Sequence, residues 1–447
     1  MAGADGQASA EEITSLTYAC KSERTMHVMI VSPYYWPESV GPATWLHQLS
    51  SDLVQKGHRV SVLTAFPNYP SGQVFARYRG RIFMRESVDS IDVVRAYMYA
   101  TPSKSFWPRI VSFSSVSLSL PLGATLLPRP DVIYCIIQPL PLGWIIGLLG
   151  KLRGVPVVVN VQDIHPRAAV SAGYLKNRLA IRGFEKMERS IYRQAAAIVV
   201  ITEAFRKDLI AKGVAPGKVR VIPNWADVDA IQPAPKANDF RRSLGVDGNL
   251  LVMYSGGMGH NTCLDTVVDA ASLLANESCR FVLIGDGVYK QPLLEKAARY
   301  SLTNLSFLPF VQAEDYPQAL AASDVQLVAL SPASTHTSLP SKTLKIMASG
   351  RPVLALARAD SDLSHLIQKA KCGVAIDPTD APGLARAIRG LAQSREQLET
   401  MGQNARQFCL NHFERRRCTA QVEAVLVRAA GRLASGQSGP TCPPDGC

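Results

Sequence analysis

None of the short motifs that mark metal-dependent hydrolysis or Walker-type ATP chemistry occurs in the 447 residues: HExxH, paired CxxC, the P-loop, GxSxG and Asp-rich metal clusters are all missing. Those two reaction classes lose support. The nine cysteines, Cys20, Cys135, Cys263, Cys279, Cys372, Cys409, Cys418, Cys442 and Cys447, are scattered and odd in number, which fits neither a zinc site nor a disulfide framework. A reducing cytoplasm is the expected compartment. No basic, apolar leader opens the chain, so residues 1–24 are expected to be an unstructured extension, residues 435–447 an unstructured tail, and export is not expected. With 47% apolar and 19% charged residues the chain is too apolar to be disordered or fibrous, and its length exceeds one hydrophobic core. Two large domains are expected.

Charge is uneven. Residues 1–24, 25–225 and 226–447 balance at −2, +13 and +1. A basic half joined to a neutral one predicts that one domain meets an anionic partner. The basic half lacks a helix-turn-helix or aromatic RNA-reading signature, so nucleic acid is not the expected anion.

In the first half, strand candidates at 27–33, 59–65, 131–139, 155–163 and 196–203 alternate with helix-compatible stretches. The helix candidate from Ala43 to His58 carries Trp45, Leu46, Leu49 and Leu53 on one face and closes at Gly57. Pro223, Pro233 and Pro235 interrupt regular structure, which places a domain junction at 225/226. Strand candidates resume at 249–257, 280–287, 305–310, 324–330, 351–357 and 373–378. The fold class expected is α/β, two doubly wound domains (25–225 and 226–405) facing across a cleft, with a C-terminal helical region at 406–434.

Two 19-residue windows, Ile110–Pro128 and Val132–Gly150, carry no formal charge and are long enough to span a bilayer. Serines, prolines and glycines interrupt them. A buried strand followed by a core or membrane-contacting helix is the expectation, with Arg109, Arg129, Lys151 and Arg153 flanking the apolar runs as they would on anionic headgroups.

Ligands of doubly wound sheets bind beyond the carboxyl ends of the strands, so those loops hold the candidate residues. Gly41 precedes the first helix and lets backbone donors approach a phosphate, or simply makes a turn. Gly256 and Gly257 follow a strand and precede a helix, in a pattern that is not GxGxxG. Gly285, Asp286 and Gly287 form a turn able to present backbone groups and one carboxylate to a base or ribose, or merely a tight αL turn. Ser341 is expected to cap a helix that ends at Gly350, and Lys342 to add a cation for a phosphate at that anion-favouring terminus, or simply to be a solvated lysine on a capped helix. Asp163 and His165, directly after a buried strand, are candidates for orienting a hydroxyl or stabilising positive charge.

Seven segments taken together, VSPYYWPESVGPATW (31–45), GHRVSVLTAFPNYPSG (57–72), NVQDIHP (160–166), VRVIPNW (219–225), MYSGGMGHNTCLDT (253–266), FVLIGDG (281–287) and LPSKTLKIMASGRPVLA (339–355), resemble the family 4, retaining glycosyltransferases of GT-B architecture. Within that family the resemblance is to bacterial colanic-acid and O-antigen aminosugar transferases. It implies Rossmann-like lobes, an acceptor in the first and a UDP- or GDP-linked sugar in the second. The diphosphate would lie near Gly41, Gly256, Gly257, Ser341 and Lys342, and the base near Gly285–Gly287 and the backbone at Phe310 and Val311. It also implies transfer without a metal or other cofactor. A polyprenyl-diphosphate-linked saccharide is the implied acceptor, with the enzyme resting peripherally on the anionic inner face of the cytoplasmic membrane during exopolysaccharide or O-antigen synthesis. The family's Glu-x7-Glu carboxylates are replaced by Thr337 and Lys345, and its Arg/Lys pair by His260 and Asn261, leaving Lys342 as the phosphate cation. A nucleotide-sugar 2-epimerase of similar build and a catalytically silent nucleotide-sugar-binding protein remain open.

Overall fold

The computed structural model describes residues 25–434 apart from 39–40, 70, 104–105, 168–169, 171–174, 176, 247 and 335–338. The two terminal extensions and Thr337 lie outside the described residues.

The first lobe runs β1 (His27–Val31), α1 (Gly41–Gln55), β2 (Arg59–Ala65), β3 (Phe83–Val88), β4 (Ile91–Ala96), α2 (Phe106–Gly123), β5 (Val132–Ile136), α3 (Leu140–Arg153), β6 (Val157–Val161), α4 (Arg178–Gln194), β7 (Ala197–Val200), α5 (Glu203–Ala211) and β8 (Val219–Val221). Its strand order is β3-β4-β2-β1-β5-β6-β7-β8, parallel except for β3. The central strands β5 (VIYCI) and β6 (VVVNV) are fully buried and mostly apolar because both faces are covered, as a parallel sheet requires. One face packs on Val116 and Leu120 of α2, Leu142 and Ile146 of α3 and Ile191 and Tyr192 of α4. The other packs on Trp45, Leu46, Leu49 and Leu53 of α1.

The second lobe runs α6 (Asp239–Ser243), β9 (Leu250–Ser255), α7 (Leu264–Leu273), β10 (Cys279–Ile284), α8 (Lys290–Arg299), β11 (Leu305–Leu308), α9 (Tyr316–Ala322), β12 (Val325–Ala329), α10 (Ser341–Ala348), β13 (Val353–Leu356), α11 (Asp362–Ala370), β14 (Gly373–Ile376), α12 (Ala381–Gln393) and α13 (Arg395–His412). Its strands are parallel in the order β11-β10-β9-β12-β13-β14. The architecture is the expected pair of doubly wound lobes. Each sheet reverses its winding direction beside its first strand, between β1 and β5 and between β9 and β12, and crevices for ligands open at such switch points.

Four features depart from the sequence reading. β3 and β4 form a hairpin turned by Asp89 (φ 48°) and Ser90 (φ 65°), and β8 adds an edge strand within the stretch read as a junction. α13 runs unbroken through position 405, where a boundary was expected, and packs Ala405 and Cys409 into the second lobe. The last helix, α14 (Arg415–Ala434), returns to the first lobe, burying Cys418, Val422, Leu426 and Ala429 against Val28, Ile30, Val132 and Val158. Arg415 and Thr419 bind Asp52 at 2.7 and 2.8 Å, and Glu423 binds His58 at 3.0 Å. The chain therefore crosses between lobes twice. The crossings touch where the Ala226 amide donates to the Phe413 carbonyl at 2.9 Å.

The two uncharged windows resolve into α2 with the turn after it, and into β5 with most of α3. Among the described residues no helix is long and apolar enough to cross a membrane.

Candidate active site

The loops after β9 and β10 lie against each other without side chains between them. Gly256 has φ +151°, Gly285 +145° and Gly287 +156°, conformations open to glycine. A Cβ on Gly285 would collide with the Gly256 carbonyl, and one on Gly287 with that of Met258. Hydrogen bonds stitch them: Gly256 N to Ile284 O and Met258 N to Asp286 O, each 2.9 Å, and Gly285 N to Leu308 O, also 2.9 Å. Gly257 is exposed, its carbonyl fixed by the Tyr254 hydroxyl at 2.7 Å.

Lys342 reaches this seam from α10. Its amine sits 3.8 Å from the centre of the Tyr254 ring and beside Gly256, where a Cβ would collide with it. Among the described residues it has no carboxylate partner. Desolvation pushes its pKa down to about 7. An ammonium held over a ring face, uncompensated at a helix N-terminus, is poised for an anion.

The opposite wall is the start of α1. A Cβ on Gly41 would lie 3.9 Å from Ser341 Oγ, so the first residues of two helices from different lobes meet across the cleft. Ser341 does not cap α10, contrary to expectation. Pro340 (φ −63°, ψ 122°) is the cap residue and its carbonyl accepts from Thr343 N at 3.0 Å. Proline fixes the extended entry and shifts Ser341 to the first helical position.

Asp286 is exposed and accepts from the Gly287 amide at 2.9 Å, while Lys290 donates to the Gly285 carbonyl at 3.2 Å, so the local-turn role is present. Val311 is half-buried and packs with Leu251, Met253, Val282 and Ile284, leaving its backbone as the part that could meet a base. Of the residues standing where the family has cations, His260 is exposed and meets Tyr289 edge-on at 5.0 Å, and the Asn261 carbonyl accepts from Ser331 N. Lys345 holds its ammonium 5.4 Å from the Tyr316 ring centre.

Asp163 and His165 follow β6, and the Asp163 carbonyl accepts from Gln138 at 3.5 Å. Burial raises the Asp163 carboxyl to about 6; burial, then the charge of Lys212, lowers His165 to about 4. His165 is thus a neutral imidazole at pH 7, able to accept a hydrogen bond while burial opposes its protonation. Among the described residues no hydrogen bond or ion pair joins this pair to Lys342. Sequence reasoning missed what fixes their turn: Gln162 bonds Asn160 at 2.6 Å and Asn224 at 2.8 Å, and Asn160 bonds the buried Tyr134 hydroxyl at 2.7 Å. It also missed Tyr254, whose spacing two before Gly256 was the available signal, and Glu38. That carboxylate is buried at 1% exposure and holds the amides of Asn68 and Tyr69, both at 2.9 Å, at the cleft end of β2.

Residues 40–225 match the Glycosyl transferase 4-like domain, and residues 249–394 match the Glycosyl transferases group 1 domain. The chain belongs to the family 4 glycosyltransferases. This glycosyltransferase is 28% identical over 373 residues to the putative colanic acid biosynthesis glycosyl transferase WcaI of Escherichia coli, covering 81% of this chain and 91% of that one. Among solved structures it is similar in fold to sucrose-phosphate synthase from Thermosynechococcus elongatus (TM-score 0.69, 17% identity, 93% and 100% of the two chains). It is likewise similar to Anabaena HepE in complex with UDP-glucose (TM-score 0.65, 16% identity, 90% and 100%).

Proposed function

We propose that the glycosyltransferase moves a sugar from a UDP- or GDP-linked donor to a polyprenyl-diphosphate-linked saccharide at the inner face of the cytoplasmic membrane, in the synthesis of a cell-surface polysaccharide. The carrying observation is the Lys342 amine, held over Tyr254 beside Gly256 where the helix starts at Gly41 and Ser341 meet. The likeness to WcaI, named for colanic acid, supports the polysaccharide, and the HepE complex with UDP-glucose supports a nucleotide-sugar donor.

The C1–O bond to the diphosphate breaks with its electron pair staying on the phosphate. The acceptor hydroxyl bonds C1 on the face the diphosphate leaves, which retains configuration, and its proton passes to the departing diphosphate oxygen. Lys342 and the helix-end amides stabilise the charge that develops on the leaving group. Asp163 and His165 orient the acceptor hydroxyl. The reading involves no covalent nucleophile and no metal ion, so EDTA is expected to leave the rate unchanged.

The test is incubation of the protein and membranes with labelled UDP- and GDP-sugars. Label extractable into organic solvent is expected. Free epimerised nucleotide-sugar would point to an epimerase, and binding without product to a silent protein; either result overturns the reading.

A further inference from the structure

Helix α4 carries Arg178, Arg182, Lys186, Arg189 and Arg193, all exposed, and among the described residues none has an ion pair. Their spacing confines them to an arc of about 80° along about 22 Å of helix, opposite the buried Ile191. Helix α2 has the same periodicity with opposite chemistry. Trp107, Val111, Leu118 and Leu122 form an exposed row, with Trp107 at 73% and both leucines at 63% exposure. Helix α3 lies between α2 and α4 and shows Trp144 and, at 85% exposure, Leu152 beside the exposed Lys151. All three helices bury their other sides on one face of the first sheet. One helical layer therefore presents an apolar row and a cationic row side by side.

We infer that this α2–α3–α4 layer docks the enzyme on a bilayer containing anionic lipid, with α4 over the headgroups and the α2 row seated among the acyl-chain ends. A row about 22 Å long is too extended for a single phosphate ion. A nucleic acid would satisfy the cations but offers no apolar phase to Trp107, Leu118 and Leu122. A charged interface over hydrocarbon satisfies both rows at once. The charges flanking the apolar windows are secondary to this stripe: Arg129 is already engaged with the Gly154 carbonyl and Arg153 with that of Ala124. The inference deepens the lipid-linked-acceptor reading by naming the surface that meets the membrane, and its test does not depend on turnover.

The experiment is cosedimentation of the full chain with phosphatidylcholine vesicles, with and without phosphatidylglycerol, at low and high salt. Binding to the anionic vesicles that high salt releases is expected. The triple variant Arg182→Ser, Lys186→Ser, Arg189→Ser should lose about 100-fold in partitioning, at roughly fivefold per cation. Leu118→Ser with Leu122→Ser should lose at least about tenfold. Circular dichroism and UDP-glucose titration should be unchanged in both, since these side chains lie on the outer face of the layer. Absence of vesicle binding, equal binding by the triple variant, or tighter binding to duplex DNA than to vesicles would overturn the inference. Vesicle binding without UDP-glucose binding would leave docking intact and count against a UDP-linked donor.

Discussion

An amine whose pKa lies near 7 binds an anion in a way that depends on which side of neutrality it is measured. Lys342 is charged below that pH and loses its proton above it, while a bound diphosphate restores the charge. UDP-sugar affinity should therefore be greatest below pH 7 and fall by up to about tenfold per unit above it, until the pKa of the bound state is reached. Calorimetry at pH 8 in buffers of different ionisation enthalpy should show proton uptake. Lys342→Ala should lower turnover by about 100- to 1,000-fold with the circular dichroism spectrum unchanged. Asp163, at about 6, works as a carboxylate only above that pH, so turnover should fall on acidification through 6 and that limb should vanish in Asp163→Asn. Gly285→Ala is a different kind of lesion. It sets a Cβ against the Gly256 carbonyl at a positive φ and should reduce UDP-sugar affinity by distorting both loops.

The elements make these residues work by where they start. α10 begins one residue after Pro340 and α1 begins at Gly41, so amides left unbonded by each helix open on the same space from opposite lobes. The β9 and β10 loops close against each other because glycine removes the atoms that would hold them apart. The placement of α14 depends on tertiary contacts, apolar packing together with the Arg415, Thr419 and Glu423 bonds, since its sequence, rich in charge, gives little sign of which lobe it covers. Leu426 is fully buried there, and Leu426→Ala should destabilise the protein by about 2–5 kcal/mol, read as a lower urea midpoint.

For the whole molecule, the paired crossings at Ala226 and Phe413 make the lobes covalently double-linked at one point. Ending the chain before Arg415 would remove one crossing and uncover the apolar surface around Val28, Ile30 and Trp45. Such a variant should melt more than about 10 °C lower or aggregate, as differential scanning calorimetry would show. The asymmetry of charge, +13 over residues 25–225, belongs to the same scale, and five of those cations, Arg178, Arg182, Lys186, Arg189 and Arg193, line one exposed side of α4.

Much of this was legible along the chain. Runs such as VVVNV and LLVMYS name their strands because burial on both faces demands mostly apolar side chains, and the glycines and Lys342 mark the loops and helix start that come together at the cleft, through the freedom of one and the charge of the other. The β3–β4 hairpin was not legible, since its turn uses Asp89 and Ser90 where glycine would have signalled it. Nor was the cap at Pro340, the ring of Tyr254 beneath Lys342, or the buried carboxylate of Glu38. The local sequence by itself determined periodicity and backbone freedom, which act over a few residues. Only the tertiary structure decided that Gly41 faces Ser341, that α14 recrosses to the first lobe, and that the apolar row of α2 and the cationic row of α4 lie in one layer, because those depend on contacts between segments up to hundreds of residues apart.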